Sequence, residues 1–278
     1  MSMLNRRQTV ALGVFATSPL ALIAQVEKSS ALNYEVQLAR GFEGANLFVP
    51  QKSMPSGAVL FLHGSEGGLN GNFIWLAHWL ASYGFLTMAL PYSVGGNVWH
   101  AGDIIKVPLE RTLSAMDWLR GHPKSNGKLG ICGYSRGAEH ALLMASLIAR
   151  DLPEKQPNAI AAHAGTDVVA RDFYSAAVLP RDARDWPSPQ PSWIWRGNEI
   201  ARDQVIEIDR SSASIFLSHG EKDTVWNVQK TRNLEKRLRD AGKNPTVRYY
   251  PDQGHGLNHE KRNEQMMEWR QFFAQHLG

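Results

Sequence analysis

The sequence predicts an α/β fold in which a mostly parallel central sheet carries helices on both faces. Three observations carry that expectation. From residue 58 onward, short apolar runs of strand length alternate with longer segments of helical period. Four of the strand-like runs end in loops rich in glycine, histidine and acidic residues, near residues 63, 134, 219 and 251, which places these loops together at the carboxyl edge of a parallel sheet. A chain of 278 residues with 43% hydrophobic content can bury one substantial core, and residues 25–278 are expected to form a single domain.

In chain order, residues 34–38 and 45–49 read as a short antiparallel pair around Arg40 to Gly44, at the edge of the sheet. Residues 58–62 are the first parallel strand. A helix is expected over 73–83, with Ile74, Leu76, Ala77 and Leu80 at core spacing and Gly84 as its C-cap. Residues 85–89 form the next strand, stopped by Pro91. A helix over 107–120 places Leu109, Leu113, Met116 and Leu119 on one stripe, with Pro108 in the first turn, where its missing N–H costs nothing. The strand 129–132 follows, then an apolar helix over 138–149 and a strand over 158–163. Further strands are expected at 214–218 and 246–250, and a last helix over 263–277. Residues 165–212 do not alternate. They are too long for a plain connector and contain Trp186, Trp193 and Trp195 among four prolines. This insertion is either a lid over the carboxyl edge or a proline-stiffened surface loop anchored by its aromatic side chains.

The first 24 residues stand apart. Arg6 and Arg7 precede a small, apolar run that ends at Ala24, which is the pattern of a signal peptide of twin-arginine type. The alternative is an uncleaved membrane anchor or an amphipathic start. Export to the bacterial periplasm or the exterior is the expectation, with no stable membrane span after processing. The net charge of +4 falls to +2 without Arg6 and Arg7, so nucleic acid is not an expected partner. Cys132 is the single cysteine and reads as a small buried hydrophobe.

The chemistry centres on Gly133-Tyr134-Ser135-Arg136-Gly137, which lies between a strand and a helix. A serine hydroxyl becomes a useful nucleophile when a strained strand-to-helix turn presents it to a histidine beside oxyanion donors. Gly133 and Gly137 permit the sharp turn. Downstream, Asp223 in the turn after strand 214–218 is the expected acid, and His255, flanked by glycines after strand 246–250, is the expected base. The order Ser, Asp, His is that of the α/β-hydrolase fold. Upstream, His63-Gly64-Ser65-Glu66-Gly67-Gly68 resembles the oxyanion loop after the third strand of those enzymes. The expected oxyanion donors are the backbone N–H groups of Ser65 and Arg136, with Glu66 as the alternative to Ser65. Glu66, His163, Trp193 and Trp195 are candidates for the substrate pocket, although a core role competes for His163. His63 and His219 read as braces of their loops, Glu139 as a support of the nucleophile turn, and Asp252 as a rival acid. Nothing in the pattern calls for a metal or an organic cofactor.

Residues 108–146, with Leu119-Arg120-Gly121-His122-Pro123 and Gly133-Tyr134-Ser135-Arg136-Gly137-Ala138-Glu139, resemble the catalytic domain of the acyl-CoA thioester hydrolase and bile acid-CoA:amino acid N-acyltransferase family. The resemblance continues through His219-Gly220-Glu221-Lys222-Asp223-Thr224-Val225-Trp226 and Gly254-His255, and dienelactone hydrolase-like enzymes share similar motifs. It implies an α/β-hydrolase fold with Ser135 as nucleophile, Asp223 as acid and His255 as base. The implied activity is cleavage of a small-molecule acyl thioester or ester through an acyl-enzyme. The alternatives are a carboxylesterase or dienelactone hydrolase-like enzyme, a serine peptidase, and a non-catalytic binding protein of the same fold. Members that act on acyl-CoA carry an N-terminal β-sandwich, for which the stretch between the leader and residue 58 is too short.

Overall fold

A computed structural model describes residues 33–68, 70–93, 103–173 and 189–278. The expected leader lies outside these residues, as does the middle of the insertion with Trp186. The strands are β1 (Tyr34–Leu38), β2 (Asn46–Pro50), β3 (Ser56–Leu62), β4 (Leu86–Leu90), β5 (Val107–Pro108), β6 (Ser125–Tyr134), β7 (Ala159–His163), β8 (Trp193–Trp195), β9 (Asn198–Glu199), β10 (Ser214–Gly220) and β11 (Thr246–Tyr250). The helices are α1 (Gly71–Ser82), α2 (Glu110–Gly121), α3 (Arg136–Asp151), α4 (Gln229–Asp240) and α5 (His259–Leu277).

Eight strands form one sheet in the order β1-β2-β4-β3-β6-β7-β10-β11. Only β2 runs against the others. This is the α/β-hydrolase-like fold, with a mostly parallel sheet between helices. All seven residues of β3 are buried, as a strand covered on both faces requires. Its side chains alternate: Ala58, Leu60 and Leu62 join the core cluster that contains α2, α3 and α4, whereas Val59 and Phe61 stand outside it. On the other face α1 contributes Phe73, Ala77 and Leu80, and α5 contributes Met266, Trp269, Phe272 and Phe273. Phe272 meets Phe216 of β10 edge to face at 5.6 Å.

The chain passes from β3 to β4 on one side and then returns to place β6 on the other side of β3. Such a reversal opens a crevice at the carboxyl ends of the two strands. The Ser65 loop follows β3 and the Ser135 turn follows β6, so the topology puts both at that crevice.

Helix α4 and the short strands β8 and β9 were not expected, and the helices expected over 107–120 and 263–277 begin elsewhere. Residues 107–108 are not the first turn of a helix but β5, which pairs in parallel with Trp193 and Ile194 of β8. Val107 N–H donates to the carbonyl of Ser192 at 2.9 Å and Leu109 N–H to that of Ile194 at 3.0 Å, so the backbone is committed to the insertion before α2 starts at Glu110. The last helix begins at His259, four residues earlier than its apolar stripe suggests, because Asn258 caps it and accepts the Lys261 N–H at 2.9 Å. Among the described residues, no helix is long and apolar enough to cross a membrane.

Candidate active site

Ser135 sits between β6 and α3 with φ 53° and ψ −120°, a conformation that a residue with a Cβ adopts only where its surroundings impose it. The imposing contacts are backbone. The Ser135 N–H donates to the His163 carbonyl at 2.9 Å, and its own carbonyl accepts the Glu139 N–H at 3.0 Å. A Cβ on Gly133 would overlap the backbone of Gly137, and one on Gly137 would overlap the carbonyl oxygen of Leu62. The two glycines therefore let the turn and the start of α3 lie directly against β3.

The structure brings the three expected side chains into one hydrogen-bonded chain. Ser135 Oγ lies 2.8 Å from His255 Nε2, and His255 Nδ1 lies 2.7 Å from Asp223 Oδ2. Asp223 Oδ1 accepts the Val225 N–H at 2.7 Å and the Trp226 N–H at 2.9 Å. Burial opposes charge on this carboxyl, but the hydrogen bonds from His255 and from the Trp226 and Val225 N–H groups outweigh it and hold the group below the usual carboxylate range. With the carboxylate accepting from Nδ1–H, the neutral imidazole presents Nε2 as an acceptor toward Ser135. Asp252 stands apart: it is exposed and paired with Lys222 at 2.9 Å.

A cavity of about 500 Å³ opens beside Ser135 and His255. Ser65, the expected oxyanion donor, and Glu66, the pocket candidate, both line it. The Glu66 carboxylate accepts the Gly64 N–H at 2.9 Å, and Gly67 N–H donates to the Gly64 carbonyl at 3.3 Å, which closes the loop into a tight turn. His63 braces it from below. Its Nδ1 lies 2.6 Å from the Gly64 carbonyl, and its ring stacks on Tyr92 at 3.9 Å. Burial lowers the His63 pKa to about 4. The backbone N–H of Arg136 belongs to the first turn of α3, where N–H groups have no intrahelical acceptor. The Arg136 side chain turns into the protein, where it pairs with Glu139 at 2.7 Å and also donates to the Arg171 carbonyl.

Three pocket expectations are corrected. His163 does not line the cavity but lies fully buried beneath it, with Nε2 3.3 Å from the His255 carbonyl and Nδ1 2.8 Å from Gln265 Nε2. Burial, together with His219, takes its pKa down to about 3. Trp193 is fully buried in the core, and its Nε1–H donates to Glu139 Oε1 at 3.0 Å. Trp195 lies against the far part of α3, where its Nε1–H donates to Asp151 at 2.6 Å. Both tryptophans are fixed by buried or half-buried carboxylates, which is why neither faces the cavity. From the described part of the insertion, Phe173 reaches the cavity instead.

Sequence reasoning also missed Trp75, Val225, Leu257 and Arg262, which share the lining. Trp75 and Val225 are large apolar side chains with 38% and 63% exposure. A signal existed in Val225, an apolar residue two positions after the expected acid. Gln265 was missed as well: fully buried at a core position of α5, it bonds Tyr134, His163 and Ser218 and so ties α5 to the floor of the site. Among the described residues, no group of three or more His, Cys, Asp or Glu side chains is arranged to hold a metal ion.

With this geometry in view, comparison with known proteins places the chain. The profile of the dienelactone hydrolase family matches residues 104–273, more than half of the sequence. The chain belongs to the dienelactone hydrolase family. Among curated proteins, this family member is similar to acyl-coenzyme A thioesterase 1 of Rattus norvegicus, with 26% identity over 79% of the present chain and 53% of the relative. It is also similar to the mitochondrial acyl-coenzyme A thioesterase 2 of the same organism, with 28% identity over 76% and 47%. The chain thus spans about half the length of the curated relatives it matches. Among solved structures, a putative dienelactone hydrolase from Klebsiella pneumoniae superposes with a TM-score of 0.60 at 18% identity, covering 83% of this chain and 92% of that one. A thermophilic esterase from Thermogutta terrifontis, solved with butyrate bound, gives 0.60 at 17% identity over 87% and 94%. These two share the fold of this dienelactone hydrolase family member.

Proposed function

We propose that this protein is a serine hydrolase that cleaves small acyl esters or thioesters through an acyl-enzyme. The observation that carries the proposal is the chain Ser135 Oγ, His255, Asp223, at 2.8 Å and 2.7 Å, on a strained strand-to-helix turn beside a cavity. Ser135 Oγ attacks the acyl carbonyl while His255 Nε2 takes its proton. Asp223 holds the imidazole orientation and stabilises the imidazolium. The oxygen that becomes negative is met by the N–H groups of Ser65 and Arg136. When the tetrahedral intermediate collapses, His255 gives its proton to the departing alcohol or thiol, and the acyl group stays on Ser135. Water, deprotonated by the same histidine, then releases the carboxylic acid and restores the serine.

The apolar side chains of Phe73, Leu76 and Phe173 in the lining support an acyl chain as the group that occupies the cavity. The similarity to acyl-coenzyme A thioesterases supports a thioester substrate. The Arg6-Arg7 leader supports export of the same enzyme, away from coenzyme A, and so favours oxygen esters. Hydrolysis of short-chain p-nitrophenyl esters, measured against release of thiol from acyl-CoA, tests the proposal and separates the two substrates. Ser135→Ala is expected to lower turnover of whichever is cleaved by about 10⁴-fold or more. Wild-type turnover by the Ser135→Ala protein would remove the serine from its role.

A further inference from the structure

His219 takes no part in the reaction above, yet it is fully buried at the end of β10 and bonded on both ring nitrogens. Its Nε2 lies 2.9 Å from Asp223 Oδ2 and 2.9 Å from the Trp226 carbonyl oxygen. Both of these are acceptors, so Nε2 carries the hydrogen. Nδ1 is then the acceptor, and Thr231 of α4, with Oγ1 at 2.7 Å, donates its hydroxyl to it. The partners thus select one tautomer. Asp223 in turn receives four donors: two backbone N–H groups on Oδ1, and two imidazole N–H groups on Oδ2, from His255 at 2.7 Å and from His219 at 2.9 Å. One carboxylate oxygen is shared between two histidines.

We propose that His219 is a positioning residue that, through its Nε2–H bond to Oδ2, fixes the plane of the Asp223 carboxylate and limits how much of its charge is presented to His255. The titratable groups that face His219 are Asp223, His255 and His163, whose ring centre lies 6.5 Å away. From α4 the facing group is the uncharged Thr231 hydroxyl. Burial favours the neutral form of His219, so it acts as a donor and not as a counter-charge. Removing that donor leaves Oδ2 to His255 alone. The imidazolium of His255 is then held more firmly, and its titration moves to higher pH.

The effect on turnover rests on the serine hydrolase reading, whereas the effect on the His255 titration does not. The test is therefore an NMR titration of the whole chain with ¹⁵N-labelled histidine, run beside kcat/KM against pH for p-nitrophenyl butyrate. The proteins compared are the wild type, His219→Leu, His219→Gln and Thr231→Val. Wild-type His219 is expected as the Nε2–H tautomer. His219→Leu should move the His255 titration and the acid limb of the rate profile upward by about one pH unit, the scale of one hydrogen bond to a charged group. Its kcat should fall about tenfold with KM little changed. His219→Gln, whose amide can donate from the same place, should return the titration to the wild-type pH. Thr231→Val, which leaves the ring in place and removes only the hydroxyl, should move it in the same direction by less and serves if the leucine variant does not fold. An unmoved His255 titration in His219→Leu, or in Thr231→Val where only that variant folds, overturns the proposal, as does an Nδ1–H tautomer or a failure of glutamine to restore the titration. A wild-type protein that cleaves neither p-nitrophenyl esters nor acyl-CoA thioesters but shows the expected shifts would end the hydrolase reading and leave the role of His219 standing.

Discussion

The turn that carries Ser135 and the insertion after β7 both rest on the first turns of α3, but they are fixed by different means. The Ser135 turn is a backbone fit. Gly133 and Gly137 lie so close to their neighbours that no side chain can be added, and the chain is then bonded through main-chain groups of His163 and Glu139. The insertion is held by side chains. Glu139, fully buried, accepts from Arg136 at 2.7 Å, from the Ala170 N–H at 2.9 Å and from Trp193 Nε1–H at 3.0 Å. One carboxylate therefore joins the nucleophile helix to two separate points of the insertion. A backbone fit leaves glycines at fixed spacing, which a reader of the sequence can find. A side-chain clasp leaves one glutamate among 26 acidic residues.

Acid should disturb both regions together and have the largest effect. His63 under the oxyanion loop has its pKa lowered to about 4, and His163 under the Ser135 turn to about 3, both mainly by burial. His140, packed against Trp193 at 4.7 Å, is pushed well below its ordinary value by burial. The folded pKa of each lies below the unfolded one, so the unfolded chain binds more protons and stability falls as pH drops. Guanidinium denaturation should show a plateau above about pH 7 and a loss on the order of 5 kcal/mol as pH falls from about 6.5 through about 4. A flat profile over that range would mean that these imidazoles take up protons in the folded protein.

Glu139→Ala comes next and is the variant that breaks the clasp. It leaves the Arg136 guanidinium buried without its carboxylate, a loss of about 3–5 kcal/mol. Proteolysis in the insertion should rise at the same time. Gly137→Ala probes the other region. The added Cβ must push α3 away from Leu62, and a displacement on the order of 1 Å at the nucleophile should reduce kcat about 10²-fold. If Gly137→Ala left turnover intact, the backbone fit would not be what places Ser135. The smallest effect is expected from Trp195→Phe, which keeps the aromatic body and removes the bond to Asp151. A loss of about 1 kcal/mol in stability with unchanged kcat would confine this tryptophan to the insertion, whereas a changed kcat would return it to the site.

The same contrast explains what the sequence disclosed. All eight strands of the main sheet were legible: β3, β4, β7 and β10 because strands buried on both faces are continuous apolar runs, and the more exposed β1 and β11 through alternation or β-branched and aromatic residues. Ser135, His255 and Asp223 could be placed at one edge before their side chains were seen to meet, because α/β topology puts consecutive strand ends together. Helix α4 left no comparable mark: its buried positions are Thr231, Leu234 and Leu238 in a helix of otherwise charged and polar residues. Strand β5 was hidden because Val107 and Pro108 precede a helical stripe, and what makes them a strand is a partner some 85 residues later in sequence, at Trp193 and Ile194. The tryptophans of the insertion were legible as anchors or as a pocket, and the deciding groups, Glu139 and Asp151, belong to another element. Gln265 was obscure for the same reason, and His219 was legible as a brace of its loop but not as a partner of Asp223, since a buried polar side chain is explained only by its partners.

The most direct measurement is covalent. The purified protein is incubated with a fluorophosphonate, and the adduct is located by mass spectrometry, with Ser135→Ala and His255→Ala as controls. A single adduct on Ser135, lost in the first variant and formed far more slowly in the second, is the predicted result. Labelling at another serine, or equal labelling with and without His255, would contradict a nucleophile activated by the chain that runs from Ser135 to Asp223.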